Sequence, residues 1–245
     1  MHLLVTRPEP DARKLKTQLE ALGHEVTVAP LLRIDVLPIE AAAFDGAQAI
    51  VATSRNGLRA LAAGGSSAEI LRLPLFAVGP DTEMLAREMG FAEVFVGAGS
   101  ASDLVGLIES KASSSAGPIV HVAGETLAFD LAAPLKGSGL TVRKLVAYRS
   151  QAVRSLTVDT ARLIADGAID AVILMSRRTA AAFGDAVTAG RLENSVGGLT
   201  CLCISQEVAQ ELQALTLGRV EIAAKPNSAE MLALVARVAT QFSRV

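Results

Sequence analysis

The chain has 245 residues, of which 51% are hydrophobic and only 3% aromatic, with one tyrosine, no tryptophan and a formal charge of −2. That length accommodates one large domain or two of about 120 residues, and cores of Ala, Val, Leu and Ile suit parallel sheets covered on both faces by helices. The small acidic excess argues against a nucleic-acid protein, which carries a basic domain or stripe, so an anionic ligand has to be met by a local group of Arg and Lys.

An apolar run at 3–6 takes the chain directly into a strand. With no basic stretch and apolar segment of signal-peptide length there, a cytoplasmic location is expected. Helical periodicity over 12–22 ends at Gly23, placed as a C′ glycine. The next apolar stretch, 26–36, is longer than a mean strand of about 5–6 residues. Strand-length runs at 48–53, 75–78, 93–96 and 118–122 alternate with helical stretches at 58–63, 82–89 (closed by Gly90) and 104–111. A helix-length segment at 127–136, followed by Gly139, leads into a second long extended stretch from 140 to beyond 148. The pattern continues with helix 154–166, strand 170–175, helix 179–187, strand 199–204, helix 208–215, strand 219–223 and helix 229–242. Ser102 and Ser228 are expected as N-caps, and Gly64–Ser67 and Ser113–Pro118 as exposed loops. Strand and helix in alternation means parallel sheets with right-handed crossovers. No segment approaches the roughly 18 unbroken apolar residues of a membrane helix.

The chain also matches itself. Residues 3–33 line up with 119–149 at a constant spacing of 116 (119−3 and 149−33), 49–55 reappear at 171–177, and 77–82 at 203–208. The order A, B, A′, B′ describes a duplicated α/β half-molecule, too long a unit for a solenoid period of roughly 20–50 residues. Two similar lobes imply a cleft between them. The long stretches 28–38 and 143–153 end A and A′ and could each carry the chain from one lobe to the other. A contiguous split into A–B and A′–B′ fits the residues as well.

Ligands of doubly wound sheets bind beyond the carboxyl ends of strands. The turns there hold Thr6–Pro8, Thr53–Asn56, Gly79–Thr82, Gly97–Ser102, Ala123–Glu125, Ser176–Thr179, Ser205-Gln206 and Lys225–Ser228. Ser54 or Ser176 alone reads as an N-cap, but the same junction offers backbone N–H groups and a positive dipole end to an anion, and Ser-Arg recurs in both halves. Gly97–Ser102 lacks the third glycine of the dinucleotide fingerprint, and neither a phosphate loop nor a nucleophile elbow is present, so no cofactor is expected. Cys201 and Cys203 fall on one strand face without a nearby His and read as core thiols, not metal ligands, which fits a reducing compartment. His2, His24 and His121 are scattered and read as structural. Tyr148, flanked by Arg149, lies on the second long stretch. It is either a packing residue with a hydrogen-bonded tip or, facing a cleft, a proton donor to a leaving group.

From end to end, Val5–Pro8, Thr53–Gly57, Ala77–Thr82, Leu145–Tyr148, Met175-Ser176, Cys203–Glu207 and Lys225-Pro226 resemble the uroporphyrinogen-III synthase family in order and spacing. The resemblance implies an α/β fold of two flavodoxin-like parallel-sheet lobes joined by a two-stranded antiparallel linker. Domain one would be residues 1–33 and 152–245, domain two 38–143, and the linker strands 33–38 and 143–152. The implied reaction closes hydroxymethylbilane, a linear tetrapyrrole with eight carboxylates, with loss of water and inversion of ring D, on the way to haem, sirohaem, cobalamin or chlorophyll. The resemblance offers Tyr148 as the acid. It places Thr6, Arg7, Ser54, Arg55, Thr82, Arg149, Ser176, Arg177, Ser205 and Lys225 as carboxylate-binding candidates, with no cofactor or metal. It also implies a monomer that takes its labile substrate from hydroxymethylbilane synthase. The chain departs from the family pattern at Ser205–Val208, where a Gly-x-x-Thr turn is usual, and at Ser176–Arg178. The rival readings are a non-catalytic two-lobed binding protein for anionic small molecules and a synthase homologue without activity.

Overall fold

The computed structural model describes residues 1–242 as two sheets, each covered on both faces by helices. The first sheet runs in the order β11 (Arg219–Ile222), β10 (Thr200–Cys203), β9 (Ala171–Leu174), β1 (His2–Val5), β2 (Glu25–Val28). All four of its neighbour pairs are parallel. In chain order this is the 2-1-3-4-5 arrangement of flavodoxin-like sheets. The second runs β3 (Leu32–Val36), β8 (Val142–Ala152), β7 (Ile119–Gly124), β4 (Ala49–Ala52), β5 (Leu75–Ala77), β6 (Val94–Val96), and from β8 to β6 its pairs are parallel. Beside β8, the edge segment is held by Leu37 N donating to Ala147 O.

The duplication therefore folds interleaved. The strands of A (β1, β2) share a sheet with those of B′ (β9, β10, β11), and the strands of A′ (β7, β8) share one with those of B (β4, β5, β6). The chain divides into two compact units to match, one of Met1–Arg33 with Gln151 onward and one of Ile34–Ser150.

In the first unit, alternate residues of each strand face opposite layers, as a period of two requires. Leu4, Val172, Leu174, Cys201 and Cys203 pack under α7 (Val158–Ala165), α8 (Arg177–Ala189) and α9 (Gln206–Gln210). Leu3, Val5, Ala171, Ile173 and Leu202 pack under α1 (Asp11–Ala21) and α10 (Ser228–Phe242). The second unit repeats the three layers. Ile50, Ala52, Leu75 and Val120 pack against α2 (Arg55–Ala63), α3 (Ala68–Arg72) and α4 (Pro80–Glu88). Val51, Phe76 and Ile119 pack against α5 (Leu104–Lys111) and α6 (Ala132–Gly137). With so few aromatic residues the fully buried Phe76 and Phe183 anchor these cores, and truncating either to Ala would cost about 3–5 kcal/mol.

Local chemistry sets the helix ends. Ser54, Ser67, Thr157 and Ser176 cap α2, α3, α7 and α8 by accepting from the backbone N–H three residues on. Gly23, Gly90 and Gly139 close helices at φ +82°, +98° and +74°. Four expectations are corrected. The run 26–36 is two strands in two sheets: Ala29 N donates to Val5 O and Leu31 N to Thr6 O, while Pro30 between them has no N–H to continue a ladder. Ser102 is not a cap, because its hydroxyl pairs with Ser100 Oγ at 2.8 Å and Asp103 precedes α5. Ser228 is the first residue of α10, and Asn227 Oδ1 takes the capping bond from Glu230 N. The helix expected at 208–215 is the shorter α9, followed by turns that bond Leu212 N to Ala209 O and Leu215 N to Leu212 O.

Candidate active site

In the second unit the expected residues gather beyond the carboxyl ends of β4 and β5 and on β8 beside the end of β7, around the point where strand order reverses. After β4 the chain turns through Thr53 into Ser54, whose Oγ accepts from Gly57 N at 3.4 Å and lies 2.9 Å from the hydroxyl of Tyr148 on β8. Gly57 is required by a close approach, since a Cβ there would meet Val122 O at 2.6 Å. The Tyr148 ring packs against the core beneath α2 and α4. Beside this pair, Thr53 Oγ1 lies 3.0 Å from Nε2 of His121, which is 1% exposed. Desolvation, then the charge of Lys144, pushes the imidazole down to about 4 against an opposing pull from Asp130. His121 is therefore neutral at pH 7 and serves as a hydrogen-bonding partner for the turn.

Arg55, the first residue of α2, has a largely covered side chain whose guanidinium is 3.9 Å from the Asp81 carboxylate. Thr82, next along α4, is buried. Arg149 is half exposed and donates to Glu125 Oε1 at 2.9 Å. The backbone of Glu125 is held as well, its N–H by Tyr148 O and its carbonyl by Lys144 Nζ.

In the first unit the candidates also follow strand ends, but more of them are internally engaged. Thr6, expected to offer its hydroxyl at an open turn, is buried and donates to Ile173 O at 2.8 Å, so its side chain joins β1 to β9. Arg7 and Asp11 form a largely covered ion pair at 3.0 Å. Ser176 accepts from Thr179 N at 3.2 Å, with Thr179 Oγ1 at 2.8 Å. Arg177 is two-thirds exposed and reaches Glu211 at 2.6 Å, and Arg178 is exposed. Ser205 precedes α9 without a side-chain cap bond; it bonds the Glu207 carboxylate and so holds it below its usual range. Val208, at the place Thr82 holds in the other unit, is core. Lys225 is exposed beyond β11.

Thr53, Asp81, Gly124 and Glu125, in turns singled out from sequence but without a role expected of them individually, all touch this cluster, and His121, read as structural, joins it through Thr53. Among the described residues no three His, Cys, Asp or Glu side chains converge as a cation site. A shallow pocket lined by Gln48, Phe76, Glu93, Phe95 and Lys111 sits at the opposite, amino-terminal edge of the second sheet, where doubly wound sheets do not place their chemistry.

Fold and site thus define a two-unit α/β protein with parallel sheets and polar turns beyond their carboxyl edges. A family model described as uroporphyrinogen-III synthase HemD matches residues 13–233, and the chain belongs to that family, a group of hydro-lyases of tetrapyrrole biosynthesis. Among solved structures, a mutant uroporphyrinogen III synthase from the extremely thermophilic bacterium Thermus thermophilus is similar at 18% identity and TM-score 0.62, over 98% of this chain and 99% of that one. A uroporphyrinogen-III synthetase from Helicobacter pylori is similar at 17% identity and TM-score 0.62, over 97% and 100%. At these identities the likeness is one of fold. No curated protein gives a significant sequence match. No helix among the described residues is long and apolar enough to cross a membrane.

Proposed function

We propose that this chain cyclises hydroxymethylbilane to uroporphyrinogen III, with Tyr148 as the acid that assists departure of the ring A hydroxyl. Loss of that hydroxyl leaves an azafulvenium cation, the substituted position of ring D attacks it, and the spiro intermediate fragments and recloses with ring D inverted. The substrate closes unaided to the type I isomer, so the enzyme acts chiefly by holding one conformation. Arg7, Arg55, Thr82, Arg149, Ser176, Arg177, Ser205 and Lys225 are the proposed carboxylate partners, with only the main chain at Ser54, whose hydroxyl faces Tyr148. Thr6 contributes there through its main chain, because its hydroxyl is already used. The proposed protein is a cytoplasmic monomer that receives its substrate from hydroxymethylbilane synthase.

The observation that carries this reading is the sole phenol of the chain, bonded to a helix-capping serine beyond the carboxyl ends of parallel strands, in a member of this family. The test couples the protein to a source of hydroxymethylbilane, oxidises the products and separates the isomers. Type III should accumulate. Type I alone, at the rate of the blank, would refute the proposal.

A further inference from the structure

We infer that Ser54 and Gly124 are positioning residues for Tyr148: Ser54 donates its hydroxyl hydrogen to the phenol oxygen, and the bare Cα of Gly124 lets the ring lie where that bond forms, leaving the phenol's own proton free for a leaving group. The inference rests on the role proposed above for Tyr148 and adds two groups to it.

Three separate observations converge. The first is register. β7 and β8 run in step as far as Ala123 opposite Val146, and then Gly124 faces Tyr148, so Ala147 is an extra residue on β8. Ala147 is fully buried in the same core that Tyr148 packs against. A bulge that turns two successive side chains to one face re-aims the second, a device common beside active sites. The second is space. A Cβ on Gly124 would lie 2.9 Å from Tyr148 Cζ, 3.0 Å from Cε2 and 3.1 Å from the hydroxyl oxygen. Any side chain there pushes the ring end away, and with it the hydroxyl, while the strand itself has no reason to move. The third is hydrogen count. A serine hydroxyl has one hydrogen and two acceptor lone pairs. Ser54 Oγ already accepts from Gly57 N, a donor that repels its hydrogen. The acceptor placed beside it is Tyr148 Oη.

The consequence for the reaction follows from charge. As the C–O bond of the ring A hydroxymethyl breaks, its electron pair stays on oxygen and the Tyr148 proton moves to that oxygen, so water leaves. A phenolate and the azafulvenium cation remain. The Ser54 hydrogen then sits against an anion, and such a bond is about twice as strong as one to a neutral acceptor, so the donor stabilises what develops in the transition state. The α proton that ring D loses on reclosure returns to the phenolate and restores the starting state.

The experiment exploits a chain with one tyrosine and no tryptophan, whose ultraviolet resonance Raman Fermi doublet reports Tyr148 alone. The higher-frequency band dominates when a phenol accepts a strong hydrogen bond and weakens when it donates one. Ser54→Gly removes the hydrogen but suits an N-cap, Ser54→Thr keeps both functions, and Gly124→Ala displaces the ring. Wild type and Ser54→Thr should show the acceptor pattern; Ser54→Gly and Gly124→Ala should lose it. In the same two variants kcat for type III formation should fall about 10²-fold or more with KM little changed, and Ser54→Thr should restore it. A donor pattern in the wild type, or wild-type turnover in Ser54→Gly and Gly124→Ala, overturns the inference. If those variants are fast while Tyr148→Phe is slow, this inference fails alone; if Tyr148→Phe is also fast, the proton-donor reading falls with it.

Discussion

Tyr148 has the packed ring and hydrogen-bonded tip of the first alternative, on the core of the second sheet and against Ser54, and the proposed proton transfer would use the same hydroxyl. Tyr148→Phe keeps the packing and removes the hydroxyl. Type III formation should therefore drop by roughly 10²–10⁴-fold, while unfolding free energy changes by only about 1 kcal/mol. Single-turnover rates and denaturant melts on the same sample check both, and a Phe variant near the wild-type rate would reduce Tyr148 to a packing residue. His121 gives a pH prediction. Its folded value near 4 lies below the ordinary 6.5, so the unfolded chain binds the proton more readily and stability is complete above pH 6.5. It is lost as pH falls from about 6.5 toward 4, by a total of about 3 kcal/mol. His24, lowered by burial, acts in the same direction. Urea midpoints between pH 7 and 4 should fall less steeply in His121→Gln than in wild type, and parallel curves would show that another group sets the acid limb. Ser54 and Tyr148 are legible in sequence one at a time, from residue type and place beside a strand. Their contact is not, because 94 residues separate them and a one-residue bulge decides which way the phenol points.

Elements read from local chemistry match the structure where that chemistry has no competitor. Capping serines before α2 and α8 and closing glycines after α1, α4 and α6 are of this kind. The run 26–36 fails because apolar composition continues through the place where hydrogen-bond partners change, and no periodicity records a change of sheet. Ser102 and Ser228 fail because a neighbouring side chain, Ser100 or Asn227, takes the bond instead. β10 supports a prediction of its own. It is flanked on both sides by parallel strands, and Cys201 and Cys203 on it are fully buried. Burial pushes the Cys203 thiol up to about 12, and Cys201 is raised too, by burial and then by Cys203. Because the thiolate is the reactive form, neither thiol should titrate with a disulfide reagent at pH 8 in the native protein, and both should react together on unfolding. One rapidly labelled thiol in the folded protein would contradict this burial.

At the scale of the whole chain, the internal repeat was legible as sequence and the order of strands was not, since contiguous and interleaved pairings of A, B, A′ and B′ satisfy the same residues. The charge balance sets a further expectation. Net charge is −2, and Arg7, Arg149 and Arg177 each face a carboxylate of the chain, so in the proposed binding mode substrate carboxylates compete for guanidinium groups already in use. Such contacts are directional, and Lys would not reproduce them. Exposed charges are screened beyond about 8–10 Å at physiological salt, so KM should rise with ionic strength. Arg7→Ala and Arg177→Ala should raise it further and flatten the salt dependence, with Arg178→Ala closer to wild type. A KM indifferent to salt with silent Arg7 and Arg177 variants would leave binding to backbone N–H groups.

The interleaved order also dictates a timetable for synthesis. Domains assemble as their residues leave the ribosome, and every strand of the second sheet lies between residues 32 and 152. β1, inside the first sheet, needs β9 at its open edge, and β9 begins only at Ala171. β1 is thus made well before the strand that encloses it. Until β9 is made, Leu3, Leu4 and Val5, none of them exposed in the finished fold, wait beside an unpaired strand edge of the kind that invites aggregation. For the nascent chain, the vulnerable segment is the strand that waits longest for its partner.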